Sequence, residues 1–128
     1  MKIEHVAFVV QDPAAAAKWY AENMGFTIKR AMKESPFTHF LADDSGKVMI
    51  EIYNPPHLRV PDYRDIDPMM LHLALVSEDV EADRKRWMAA GATSVGEVTP
   101  LDNGDVLAML RDPWGFAIQL VQRGEPMV

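Results

Sequence analysis

Residues 3–12 read IEHVAFVVQD and residues 70–79 read MLHLALVSED. His5 and His72 stand 67 positions apart, and Asp12 and Asp79 repeat that spacing. Two polar positions at one spacing, set in matching apolar runs, identify an internal repeat, so the chain is built twice. A polar residue placed twice by duplication suggests a shared site, which makes the histidine pair the first functional candidate.

Outward from these stretches, each copy unfolds into the same order of elements. Residues 2–10 alternate in sheet fashion, with Ile3, His5, Ala7 and Val9 on one face and Val6, Phe8 and Val10 on the other. Asp12 then offers a helix N-cap, Pro13 suits the first helical position, and Gly25 can close the helix after Met24. Strands follow at 26–32, 37–42 and 47–54, separated by the turn signals Ser35-Pro36 and Asp43-Asp44-Ser45-Gly46. The second half predicts a strand near 70–77, a helix from Val80 to Ala90 closed by Gly91, and strands near 93–98, 105–111 and 115–122. The expectation is a single α+β domain of two βαβββ modules over 1–54 and 70–123. They are joined by a linker over 55–69, stiffened by Pro55, Pro56, Pro61 and Pro68, and followed by a tail over 124–128.

The closing strands correspond as well. Ile50 matches Ile118 and Glu51 matches Gln119, each pair 68 apart, and the turn DDSG matches DPWG at a spacing of 69. Val48, Ile50 and Ile52 share one face of their strand, as do Phe116, Ile118 and Leu120 in the other half. Those aliphatic faces should lie under the helices, which leaves Glu51 and Gln119 on the opposite faces. Ala7 and Ala74, two residues beyond the histidines and on their face, leave room around the imidazoles. With pseudo-twofold pairing of the modules, His5, Glu51, His72 and Gln119 can converge in one curved sheet as a metal cage.

Composition narrows the function. Of 128 residues, 48% are hydrophobic and 25% charged, the balance of a folding globular domain. A net charge of −6 disfavours nucleic acid and anionic membrane as partners. With no cysteine, disulfides, thiolate metal sites and cysteine nucleophiles are all excluded, so any metal must take imidazole and oxygen ligands. The opening apolar run, interrupted by Glu4 and His5, is too short for a signal segment or a membrane span, and a cytoplasmic protein is expected. Arg84, Lys85 and Arg86 fall on a helix beside Asp83 and read as a solvated face.

The chain resembles the vicinal oxygen chelate superfamily, the group of glyoxalase I, bleomycin-resistance proteins and extradiol dioxygenases. The resemblance rests on IEHVAFVVQDPAAAAKWYAENMGF, VMIEIYN, LHLALVSEDVEADRKRWMAAGA and RDPWGFAIQL, which cover almost the whole chain in order and spacing. It implies paired βαβββ modules forming a cupped mixed sheet, a homodimer, and metal ligands on the first and last strand of each module. Those positions hold His5, Glu51, His72 and Gln119. Many metal-dependent members carry a glutamate where this chain has Gln119, a departure that bears on charge balance and on catalysis.

Two imidazoles, a carboxylate and an amide oxygen suit Ni, Zn, Mn or Fe as the divalent metal. The best-defined activity is a lyase or isomerase of glyoxalase type acting on a small substrate with adjacent oxygens through an enediolate. A glutamine amide cannot accept a carbon-bound proton, so Glu51 is the expected base as well as a ligand. The alternative is a non-catalytic, antibiotic-sequestering binding protein of the bleomycin-resistance kind, and an extradiol dioxygenase ranks third. His57 falls in a loop, and His39, which matches Leu107, is a candidate pocket residue. Trp19 and Trp87 read as core and Trp114 as a turn residue. Arg30, Arg59, Arg64 and Arg111 are candidate anion ligands for which surface solvation is the better reading.

Overall fold

A computed structural model describes all of residues 1–128. The chain divides into two compact units, Met1–Pro61 and Asp62–Val128. The first runs β1 (His5–Val9), α1 (Pro13–Met24), β2 (Thr27–Ala31), β3 (His39–Ala42) and β4 (Met49–Tyr53). The second runs β5 (Leu73–Val76), α2 (Val80–Ala89), β6 (Thr93–Pro100), β7 (Val106–Arg111) and β8 (Ala117–Gln122), preceded by a short 3-10 turn at Tyr63–Asp65. Each unit is therefore a βαβββ module with its own four-stranded mixed sheet, ordered β1-β4-β3-β2 in one and β5-β8-β7-β6 in the other. The initial strand pairs parallel with the closing strand, and the remaining pairs are antiparallel. The α+β fold of two βαβββ modules read from the repeat is the fold observed.

The helices start and stop where local chemistry dictates. The Asp12 carboxylate accepts from the Ala15 amide at 3.0 Å and the Asp79 carboxylate from the Ala82 amide at 2.9 Å, which satisfies otherwise orphaned amides at each N-terminus. Gly25 ends α1 with φ +73°, a left-handed conformation that costs glycine little. In the first unit Ala16, Ala17 and Tyr20 of α1 are buried, as are Leu41, Ile50 and Ile52 of the sheet. Trp87, 67 positions beyond Tyr20, is the corresponding anchor of α2, and Leu110, Ile118 and Leu120 are its buried sheet counterparts. The aliphatic faces are the core, and the opposite faces carry Glu51 and Gln119, both half-buried.

Three details differ from expectation. The strand foreseen near 70–77 begins only at Leu73, because Asp67 holds a turn: its carboxylate accepts from the Met69 amide at 2.8 Å and its carbonyl from the Met70 amide at 2.9 Å. His72 accordingly stands just before β5 rather than within a strand. Residues 62–66 are held by the second unit, since Arg111 donates to the carbonyls of Tyr63 at 2.7 Å and Ile66 at 2.9 Å, and the Tyr63 ring meets Phe116 edge-on at 5.0 Å. Finally, His39 lies opposite Ile52, and Ile52 corresponds to Leu120, whose partner is Ala108; the counterpart of His39 is Ala108, not Leu107. His39 is thus buried on the aliphatic face with Leu41, its Nδ1–H donated to the Phe37 carbonyl at 2.7 Å, and it is not a pocket residue on the side of Glu51.

Candidate metal centre

Strand register gives the candidate residues matching places. Ala7 on β1 stands opposite Glu51 on β4, and Ala74 on β5 stands opposite Gln119 on β8. Each row continues across its sheet: Ala7, Glu51, Phe40 and Arg30 in the first unit, and Ala74, Gln119, Met109 and Val95 in the second. Residues directly opposite one another share a face, so each row belongs to the face turned away from the helix.

In the first unit His5 and Glu51 come together. His5 Nε2 is 3.4 Å from a Glu51 carboxylate oxygen, with the two side chains 34% and 22% exposed. Both are open to a ligand yet partly shielded from bulk water. The other ring nitrogen, Nδ1, contacts the carboxylate of Glu4, and the ring meets Phe40 edge-on at 5.5 Å. Both neighbours are carboxylates and only accept, but Glu4 makes the closer contact, so the proton of the neutral ring sits on Nδ1 and Nε2 is the unprotonated nitrogen. Glu4 is a contact of the His5 ring that sequence reading passed over; its place beside His5 in the chain was the available signal.

In the second unit the Pro68 carbonyl accepts from His72 Nδ1 at 2.7 Å, which likewise leaves Nε2 as the free acceptor. Gln119 lies on the adjacent closing strand, opposite Ala74. Neither unit by itself gathers three imidazole or carboxylate groups suited to one ion. A groove of about 470 Å³ in the second unit, lined by Leu75, Val76, Val121, Met127 and Val128 among others, includes none of the four candidate ligands.

Two of the arginines considered as anion ligands are committed elsewhere. Arg64 donates to the carbonyls of Trp114 at 3.2 Å and Pro113 at 3.0 Å, and Arg111 donates to those of Tyr63, Gly115 and Ile66. Both brace the turn before β8 rather than facing a ligand. Trp19 and Trp87 are buried core residues, as read.

Comparison with known proteins agrees with this architecture. Residues 2–120 match the model of the Glyoxalase/Bleomycin resistance protein/Dioxygenase superfamily, and the chain belongs to that family. Lactoylglutathione lyases of Arabidopsis thaliana and Brassica oleracea var. gemmifera are each 29% identical to it over 127 residues, a match covering 94% of this chain and 44% of theirs. The chain thus spans less than half the length of these curated relatives. A glyoxalase family protein of Bacillus cereus superimposes with a TM-score of 0.83 at 20% identity, covering 96% of this chain and 94% of that one. The antibiotic-binding protein TnmS3 from Streptomyces sp. CB03234 superimposes with a TM-score of 0.73 at 23% identity, covering 97% of both chains. At these identities the two structures share the fold. No helix is long and apolar enough to cross a membrane.

Proposed function

We propose that this protein is a divalent-metal-dependent lyase or isomerase of glyoxalase type, acting on a small substrate with adjacent oxygens. Its metal ligands would be His5, Glu51, His72 and Gln119. The observation that carries the reading is the His5–Glu51 pair, with Nε2 and the carboxylate oxygen 3.4 Å apart. Two donors about 2.1 Å from one ion stand at that separation when they subtend a near-tetrahedral angle, so the pair fits a first-row divalent cation. Both histidines donate Nδ1–H to an acceptor, Glu4 or the Pro68 carbonyl, the outer-shell arrangement that holds imidazole ligands in orientation.

When bound, the ion supplies Lewis acidity that stabilises negative charge developing on the substrate's adjacent oxygens. Glu51 is the only carboxylate of the set and takes the carbon-bound proton. His5 is held by Glu4 on one side and limits the swing of the Glu51 carboxylate on the other. Gln119 orients through its amide oxygen without adding charge. Phe40, against the His5 ring, excludes water from one flank of the pair. The lactoylglutathione lyase relatives support a glyoxalase-type reaction.

Metal analysis of protein purified without added metal, followed by a 2-oxoaldehyde assay with and without the ion found, tests the reading. Bound metal and metal-dependent turnover are expected. Failure to bind any divalent ion would end the metal proposal, whereas metal without turnover would end the glyoxalase assignment. A second reading, non-catalytic capture of a small molecule, is favoured by one residue: Gln119 stands where a second carboxylate would complete a charged set. The likeness to the antibiotic-binding TnmS3 is consistent with it. Tight ligand binding without turnover would select that reading. A homodimer is the oligomeric form expected, and light scattering measures it directly.

A further inference from the structure

The open face of the first sheet holds a cation whose position depends on an irregularity in the strand. Between β2 and β3, Ile28 stands opposite Leu41, but Arg30, not Lys29, stands opposite Phe40. Lys29 is the extra residue of a β-bulge. In a regular ladder Lys29 would face Phe40 and Arg30 would fall opposite His39, on the aliphatic face beneath α1. The bulge moves Arg30 to the other face, into the row of Phe40, Glu51 and Ala7, and re-aiming one side chain is a recurrent use of bulges beside functional sites. The guanidinium carbon lies 5.7 Å from the centre of the Phe40 ring, a cation-π distance. The His5 ring lies 5.5 Å from the same centre. Arg30 and His5 are therefore separated by no more than the sum of those distances, about 11 Å.

Arg30 is exposed and its guanidinium makes no hydrogen bond or ion pair, unlike those of Arg64 and Arg111, which are occupied by carbonyls. Its counterpart in the second unit's row is Val95, so the duplication does not account for it. With a net charge of −6 the chain repels anions on average, and a local cation stacked on an aromatic ring offsets that repulsion at one place. The guanidinium fork is suited to two-point binding of a carboxylate or phosphate oxygen pair.

We infer that Arg30, no more than about 11 Å from the His5 ring, binds an anionic group of the substrate, carboxylate or phosphate, whose reacting end lies at the His5–Glu51 corner. The substrate class is a small acidic molecule with adjacent oxygens at its other end, so a 2-oxoaldehyde that bears a carboxylate or phosphate is a better substrate than a neutral one. This rests on the metal-dependent reading above, and the test separates the two.

Hydroxamates present two adjacent oxygens and serve as probes. Binding of adipic monohydroxamate, of 6-phosphonohexanohydroxamate and of the neutral amide of the first is measured by calorimetry on the full chain, with and without Ni²⁺. The parent protein is expected to prefer at least one anionic probe over the amide by about tenfold. Arg30→Met, which keeps an apolar stem over Phe40, is expected to remove that preference while leaving the amide's affinity unchanged, and Arg30→Lys is expected to retain part of it. Whether carboxylate or phosphonate gains more distinguishes the two anions. Equal binding of all three probes to the parent, or an anion preference that survives in Arg30→Met, would overturn the inference. Hydroxamates that bind equally with and without Ni²⁺ would count against the metal centre, yet an anion preference lost in Arg30→Met would still uphold the role of Arg30.

Discussion

Glu51 and Gln119 hold the same register position in their two sheets, each directly opposite an alanine that follows a histidine by two residues. The duplication is thus exact in place and unequal in chemistry, with a carboxylate in one module and an amide in the other. A glutamine offers an oxygen of similar reach without charge or basicity, so under the proposed function ion binding and proton transfer would fall unequally on the two modules.

That inequality can be probed from both sides. Glu51→Gln is expected to lower turnover by about 10²–10⁴-fold, the usual contribution of a positioned general base, and to weaken metal binding. Gln119→Glu is expected to tighten metal binding by about tenfold, since affinity at such sites follows the number of charged ligands. Full turnover in Glu51→Gln would remove the base assignment, and an unchanged metal affinity in Gln119→Glu would remove Gln119 from the ligand set.

The ring contacts make a prediction about tautomers. Because the Pro68 carbonyl is an acceptor, the neutral form of His72 should carry hydrogen on Nδ1, and at His5 the Glu4 carboxylate, closer than that of Glu51, favours the same tautomer. Long-range proton–nitrogen correlation spectra at a pH where the rings are neutral report this directly. An Nε2–H pattern at His72 would contradict the arrangement that leaves Nε2 for a ligand.

Arg111 is a structural clamp. Its guanidinium serves three carbonyls, of Tyr63, Ile66 and Gly115, and so holds residues 62–66 and the turn before β8 together. Arg111→Ala should cost about 2–4 kcal/mol of stability, given charge-assisted bonds lost and carbonyls left without donors. Urea unfolding measures the loss; a change below about 0.5 kcal/mol would mean the clamp is no more than an ordinary surface feature.

Acid should unfold the protein partly through Asp105. The Gly124 amide at 2.9 Å, then the Arg123 guanidinium at 2.6 Å, hold its carboxyl below the ordinary carboxylate range, against the opposing effect of burial. The unfolded chain therefore takes up the proton first as pH falls. Asp105 contributes stability that is complete above the unfolded value, about 3.9, and is lost as pH drops through the lower native value. Asp105→Asn should be less stable than the parent at neutral pH, with the difference shrinking in acid. A difference that stayed constant across acid titration would show that the carboxylate's charge contributes nothing.

Much of this molecule was legible in its sequence because the signals are local or repeated. The 67-residue spacing of His5 and His72 and of Asp12 and Asp79 revealed the duplication, capping residues marked both helices, and alternation assigned Ile50 and Ile52 to the core face and Glu51 to the other. Each of these depends on neighbours in the chain or on comparing the chain with itself. The tertiary structure decided what depends on hydrogen bonds between distant strands. It paired His39 with Ile52 and so buried it, occupied Arg64 and Arg111 with carbonyls, and gave Glu4 its place on the far side of the His5 ring. It also turned Arg30 onto the face of Glu51 through one extra residue, Lys29. A single-residue shift in register exchanges the two faces of a strand, and no local pattern records where such a shift falls.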